Sequence, residues 1–519
     1  MLRHAEELRG TQDLPEGRVS VVAALRQRPQ LLFLLLAVYF IANVAVRLIL
    51  PHELELDEGQ QLFLAQWLAV GYDSQPPLYN WLQYGAEQIL GPTLASLSVL
   101  KNLILFASYS LFALTAAMVL RSRDLVIVAT LGLLTMPQVS FEAQRDLTHT
   151  VAVIFAACLF FFALIRAIKS PSILAYALTG VAIGLGFIAK YNFVLLPAAA
   201  ALAMLMDPEF RRRVLDWRVL VMIVVAALVA LPHGLWFLDN LDVATGRTIG
   251  KLTSTGATSK LGQINTGLFS LVAAAIGFSV ITLVVFAIAF GRDFTRALSA
   301  SSPWSRLIGR IMLITVVAVV LLVIFGGATQ IKDRWLTPFF IVLPLYLCLK
   351  LEAAGLASER LLPRFLPIGI GAMVIIPLIL LVRIPVHGMT GRYEKNNVPY
   401  GQAVQEIIAS EANKPSLIIT SDQQMAGNIR LQEPDVQVML PGYEAFLKPF
   451  AFDSTHPILV IWRNRGKADL PLPEGLAAWL SEHGGLAVSD IRTVALPYHF
   501  SWSDDRYNFA YSYIYPKAE

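Results

Sequence analysis

Acidic side chains crowd one short stretch of this 519-residue chain. His52-Glu53-Leu54-Glu55-Leu56-Asp57-Glu58 is followed by Tyr72-Asp73-Ser74-Gln75-Pro76-Pro77-Leu78-Tyr79-Asn80-Trp81. A carboxylate here can act as a general base if it reaches a hydroxyl within hydrogen-bonding distance. His52, Glu53, Asp57 and Asp73 could instead hold a hard divalent cation, although no spacing among them is diagnostic. Glu53, Glu55 and Glu87 read as solvated loop charges, whereas the Pro-Pro turn would keep Asp57 close to a surface. Basic residues stand in three other short segments: Phe141-Glu142-Ala143-Gln144-Arg145-Asp146-Leu147-Thr148-His149, Ala189-Lys190-Tyr191-Asn192 and Gln330-Ile331-Lys332-Asp333-Arg334-Trp335. Arg145, Lys190, Lys332 and Arg334, with Arg247, Lys251 and Lys260, suit a phosphate, Arg by forked hydrogen bonds and Lys as a point charge. The plainer reading of each lysine is snorkelling to lipid headgroups. His149 follows Asp146 by three residues, so on a helix the two would share a face; a satisfied structural histidine is the simpler alternative.

The elements that position these residues are apolar. Apolar types make up 56 % of the chain and charged types 15 %, against roughly 25 % charged in an ordinary soluble protein. Mean hydropathy is +0.60. These values exclude a disordered chain, a coiled coil and a large cytosolic enzyme. Runs of about 20 apolar residues recur, each able to cross a bilayer core of roughly 30 Å. Eleven spans are expected, at about 31–50, 94–120, 125–141, 148–168, 172–189, 191–206, 219–238, 266–290, 308–326, 335–350 and 365–386. Segments on the N-terminal side carry 20 Lys and Arg, those on the opposite side 7, and the 43-residue first loop (51–93) none. The positive-inside rule then places the N-terminus inside and the acidic first loop outside. Segment 1–30 is polar and arginine-bearing, so the run from Leu31 reads as an uncleaved anchor. In the first loop, Leu62, Phe63, Ala65, Gln66, Trp67 and Leu68 suit an amphipathic helix lying in the membrane interface. Trp81, Trp236 and Trp335 read as interface anchors; Tyr79 and Tyr191 could stack on a sugar ring.

Composition changes at His387. Residues 387–519 carry 26 charges in 133 residues, and 417–419, 436–440 and 458–462 read as short buried strands. Helices are expected at 402–412 and 476–483 and a closing strand at 507–515. This is a small extracytoplasmic α/β domain. Cys158 and Cys348 both lie in apolar runs, so no disulfide staples the outer parts.

Asp57-Glu58 after the first span, Tyr72–Leu78 with its Pro-Pro pair, and Arg145-Asp146 at the next outside turn resemble GT-C glycosyltransferases. The resemblance covers about residues 31–345. Its nearest branch is the bacterial protein-mannosyltransferase-like group, with the aminoarabinose transferases and the rhizobial lipid A/core galacturonosyltransferases. It implies a polytopic helical GT-C-like domain (31–386) and inverting transfer of a sugar from a polyprenyl phosphate, in the bacterial inner membrane, with the active site facing the periplasm. Asp57 would be the catalytic base and Asp146 its catalytic neighbour. Glu58, Gln75, Tyr79, Arg145, His149, Lys190, Tyr191, Lys332 and Arg334 would bind substrate. Some relatives carry Lys where Gln75 stands, so the phosphate would lean on the other bases or on a divalent metal cation, the one cofactor entertained. Partners implied are the lipid-linked donor, a lipid A, lipopolysaccharide-core or other glycan acceptor, and membrane lipids; nucleic acid is not among them. Likeness of Gln144–His149 and Gln75-Pro76-Pro77 to the galacturonosyl branch favours galacturonic acid, over aminoarabinose, mannose or another hexose. The rival class is a lipid-linked sugar flippase, which would be expected to show repeated halves and mid-membrane charges.

Overall fold

The structure is a computed structural model; it describes residues 21–253, 259–356, 358–463, 471–483, 486, 488 and 490–516. Most of the polar N-terminal segment therefore lies outside the described residues, as do the side chains of Arg247 and Lys251.

Seven described helices are long and apolar enough to cross a membrane: Gln30–Ile49, Leu94–Val119, Thr148–Lys169, Val219–Asp239, Lys260–Phe290, Pro303–Gly326 and Leu361–Met389. The expected span at 125–141 is bent by 84° between Thr135 and Pro137. Met136 is extended there, as a residue before proline is driven to be. Three further expected spans fall short of full, continuous helices. Ile173–Ala189 and Tyr191–Leu205 are brief, and 335–350 is divided into Thr337–Phe340 and Leu343–Ala353. Apolarity alone cannot tell a lipid-crossing helix from one buried inside the bundle, and Ile173–Ala189 packs between Thr148–Lys169 and Val219–Asp239.

The C-terminal unit is a five-stranded sheet of β1 (Leu417–Thr420), β2 (Gln437–Met439), β3 (Ile458–Arg463), β4 (Arg492–Pro497) and β5 (Arg506–Ile514), in the order β2-β1-β3-β5-β4. β1 pairs parallel with β2 and β3, and β5 antiparallel with β3 and β4. β1 and β3 are almost wholly buried, which is why they read as continuous apolar runs. Sequence reading missed β4, an edge strand with four of six residues exposed, and the helix Gln423–Gln432, whose buried face includes Gln424, Gly427 and Asn428.

That polar helix decides where the first loop goes. The interfacial helix expected over Leu62–Leu68 is instead a helix at Leu56–Leu64 that ends before Ala65, and its residues from Gly59 onward are buried against Gln423–Gln432 rather than in lipid. The two helices cross at glycines. A Cβ on Gly427 would stand 2.2 Å from the Gly59 carbonyl oxygen, and one on Gly59 2.7 Å from Gln424 Cα. Gln424 donates to the Leu54 carbonyl at 2.8 Å and the Leu54 N–H donates to Asn428 at 3.0 Å. Gln66 exchanges two hydrogen bonds with the Val438 backbone. Phe63, Leu64, Trp67 and Tyr72 join the core of the C-terminal unit.

Candidate active site

Glu55 caps the helix Leu56–Leu64, and Glu58 answers it in a capping box, so Asp57 projects from a first turn fixed at both ends. The Asp57 N–H donates to Asp146 Oδ1 at 2.9 Å, and the Thr148 N–H donates to Asp57 Oδ2 at 3.2 Å. Thr148 opens the helix Thr148–Lys169, and the N-terminal end of a helix favours a carboxylate. Between the two partners Leu147 takes a left-handed backbone, φ 51°, a conformation costing a side-chain-bearing residue about 1–2 kcal/mol. This turn corrects the expected pairing of Asp146 with His149 on one helix face, because Asp146 precedes the helix.

The two acids are not equivalent. Burial, then the charges of Asp57 and Glu55, push the Asp146 carboxyl well above the usual range, with Lys101 opposing. Asp146 is thereby held toward its protonated form.

Beneath them lies a buried ion cluster that sequence reading missed. Glu58, 1 % exposed, pairs with Arg47 at 2.8 Å and Lys101 at 3.3 Å. Lys101 also donates to the Gln144 carbonyl at 3.3 Å, tying the Asp57 helix to the turn that carries Asp146. Burial works against the Glu58 carboxylate, but Arg47 and Lys101 outweigh it and hold its pKa at about 2. Glu58 is therefore a framework residue and not the substrate ligand expected. The signal was present in the sequence, since Arg47, Lys101 and Arg383 are ionisable residues inside apolar spans. Glu53, Glu55 and Glu87 are likewise buried rather than solvated, facing His499 at 2.9 Å, Arg383 at 3.0 Å and Arg430 at 2.8 Å.

Three cavities lie in this region: one is lined by Asp146, a second by Leu147, and a third shares Ile331 with the second. An apolar one of about 170 Å³ is lined by Gln75, Lys190, Tyr191 and Trp335 among aliphatic side chains. Lys190 donates to Thr150 Oγ1 at 3.1 Å, and the Tyr191 ring stacks on His233. Trp335, expected as an anchor, lines the cavity instead. Lys332 and Arg334 line a second cavity, of about 610 Å³, with Leu147. The expected phosphate-facing bases are thus divided between two neighbouring cavities, with Ile331 on the wall of both. The third is a polar cleft of about 880 Å³ between the membrane-spanning and C-terminal units, lined by Arg145 and Asp146 on one side and Lys395 and Arg463 on the other. Tyr79 is wholly buried against His149 and offers no ring face to a sugar. His149 Nε2 lies 3.1 Å from the Gln61 amide.

Among the described residues no three His, Cys, Asp or Glu side chains converge as a metal site. Glu53 turns to His499, and Asp73 accepts from Gln60 and Gln423, so the oxygen set considered from sequence is dispersed.

Residues 74–236 match the family described as dolichyl-phosphate-mannose-protein mannosyltransferase. The lipopolysaccharide core galacturonosyltransferase RgtB of Rhizobium johnstonii is 45 % identical over 93 % of this chain and 97 % of its own length. RgtA of the same organism, also a lipopolysaccharide core galacturonosyltransferase, is 40 % identical over the same shares. In fold, the chain resembles the crystal structure of ArnT from Cupriavidus metallidurans bound to undecaprenyl phosphate, with a TM-score of 0.58 over 92 % of this chain and 97 % of that one at 13 % identity.

Proposed function

The chain belongs to the family of lipopolysaccharide core galacturonosyltransferases and is a membrane glycosyltransferase; on that premise we propose that it moves galacturonic acid from a polyprenyl phosphate to lipid A or the lipopolysaccharide core on the periplasmic side of the inner membrane. The observation that carries this reading is the position of Asp57. Its carboxylate accepts from the Thr148 N–H beside a carboxyl held toward its protonated form; Asp146 lines the polar cleft, and the next residue, Leu147, lines the cavity of Lys332 and Arg334.

The prenyl chain occupies the apolar cavity, with its phosphate toward Lys190 and Gln75. The acceptor glycan enters by the polar cleft. Asp57 takes the proton of the acceptor hydroxyl as its oxygen bonds to the anomeric carbon. The bond from that carbon to the phosphate oxygen breaks, and the prenyl phosphate leaves with the electron pair. Attack opposite the leaving group inverts the centre. Lys190, with Lys332 and Arg334 from the neighbouring cavity, stabilises charge growing on the departing phosphate, an electrostatic contribution of the kind that often dominates such barriers. Asp146, held toward its neutral form, limits negative charge next to the base.

The test is mass spectrometry of lipid A and core from a strain lacking the gene, complemented with wild type or Asp57→Asn. Wild type should restore a hexuronic acid that Asp57→Asn does not, with both proteins present in the membrane at equal amounts. Restoration by Asp57→Asn would remove the base assignment; loss of a pentosamine or neutral hexose would redirect the donor sugar.

A further inference from the structure

The polar cleft carries more acids than bases, yet its acids are spoken for. Glu55 and Glu394 both pair with Arg383, at 3.0 and 2.5 Å, and Glu394 also faces His387 at 2.9 Å. Asp422 pairs with Arg463 at 2.9 Å. Asp146 accepts the Asp57 N–H and is held toward its neutral form.

Two cations in the cleft are not saturated in this way. Arg145 uses one terminal nitrogen on Glu142 at 2.8 Å, while its buried Nε has no hydrogen-bond partner among the described residues. Lys395 stands on the short turn Lys395–Asn397 that joins the last span to the C-terminal unit. Among the described residues its ammonium makes no ion pair within 4 Å and no hydrogen bond. It is nonetheless held partly out of water: burial lowers its pKa while the Glu55 carboxylate pulls it back up. A half-buried ammonium and a buried guanidinium nitrogen, both with donor capacity to spare, line one cleft together with Asp146. A buried donor left unpaired is costly, so an occupant that accepts from both is favoured. One wall of the cleft is aromatic, the Tyr393 and Tyr498 rings lying parallel with centroids 3.8 Å apart.

We propose that Lys395 and Arg145 together grip an anionic group of the acceptor, a sugar carboxylate or a phosphate, and so set which hydroxyl is presented to Asp57. The inference rests on the function proposed above and assigns to the C-terminal unit the reading of acceptor charge. Lys395 touches the acceptor away from the reacting atoms, so it governs acceptor affinity more than turnover.

The test uses the full-length enzyme in detergent or proteoliposomes, with lipid A–core from a strain lacking the enzyme as acceptor. Lys395→Met should raise the acceptor KM roughly 10- to 100-fold, the worth of a charge-assisted hydrogen bond. The donor KM and kcat should stay within about twofold, the unfolding temperature should be unchanged, and Lys395→Arg should recover most of the affinity. Treating the acceptor with a phosphatase, or reducing its carboxyl groups, identifies the anion: the treatment that removes it should weaken wild type to the level of Lys395→Met and leave the variant unaffected. An unchanged acceptor KM, a loss confined to the donor KM, or a variant that responds to both treatments as wild type does would overturn the proposal. Binding of the same acceptor without donor, wild type against Lys395→Met, is measured alongside. If wild type transfers no galacturonic acid but this binding difference persists, the donor assignment fails and the anion grip stands.

Discussion

Asp146 and Asp57 share a backbone hydrogen bond yet are asked to do different things. Burial and the Asp57 charge raise the Asp146 pKa, so the sign of its pH effect is fixed. Its contribution to stability is complete below the ordinary carboxyl range and is lost as pH rises through the raised value. Ionisation there also adds a second negative charge beside the base. Transfer by wild type should therefore decline on the alkaline side, and Asp146→Asn, which keeps an acceptor for the Asp57 N–H but cannot ionise, should retain activity and lose that alkaline limb. Asp146→Ala, which removes the acceptor, should fall well below it. Rate–pH profiles of the three proteins make the comparison. The family resemblance implied two acids near one another; their difference depends on which one is buried.

Helix Leu56–Leu64 is held from below by ions and from above by a second helix. Breaking a buried ion pair by removing one partner costs about 3–5 kcal/mol, because the other charge stays buried. Glu58→Gln strands Arg47 and Lys101 and should lower the unfolding temperature of the detergent-purified enzyme sharply, with transfer lost as the helix carrying Asp57 loses its anchor. Since Glu58 is held at about 2, its pairing is complete above the ordinary carboxylate range and is lost only as pH falls through that value. From above, Gly427→Ala places a methyl 2.2 Å from the Gly59 carbonyl oxygen. Overpacking of this kind costs about 1–3 kcal/mol and here forces the helices apart. The expected outcome is a fall in transfer with faster limited proteolysis between Met389 and Tyr400, and Gly427→Ser should do no better.

At the scale of the molecule, the C-terminal unit is fastened to the membrane-spanning unit through polar contacts. Arg430 reaches Glu87 at 2.8 Å and His499 reaches Glu53 at 2.9 Å. Burial of Glu87 outweighs Arg430 and raises its pKa to about 7. A carboxyl raised in the folded state stabilises it below the ordinary value, and that stabilisation is lost as pH rises through the folded value. The unfolding temperature of wild type should therefore drop between about pH 4.5 and 7 by more than that of Glu87→Gln. Thermal scans across that window give the comparison.

Apolar runs, the imbalance of Lys and Arg and the alternation after His387 are properties of the chain that need no partner to be read. They determined a polytopic helical protein with an acidic first loop and a small C-terminal sheet, and the Asp57 and Arg145-Asp146 motifs stood out as charged clusters at the ends of apolar runs. What the sequence could not determine was which polar groups meet. Glu58 and Lys101 are 43 positions apart, Gly59 and Gly427 lie in different units, and the Gln423–Gln432 helix has too polar a buried face to announce itself. Burial and pairing of such groups depend on distances set by packing, because a carboxylate facing water and one facing a buried arginine are the same letter. Only the tertiary structure turned the first loop inward, made Glu58 a support, and left Lys395 and Arg145 with donors to spare in the cleft lined by Asp146.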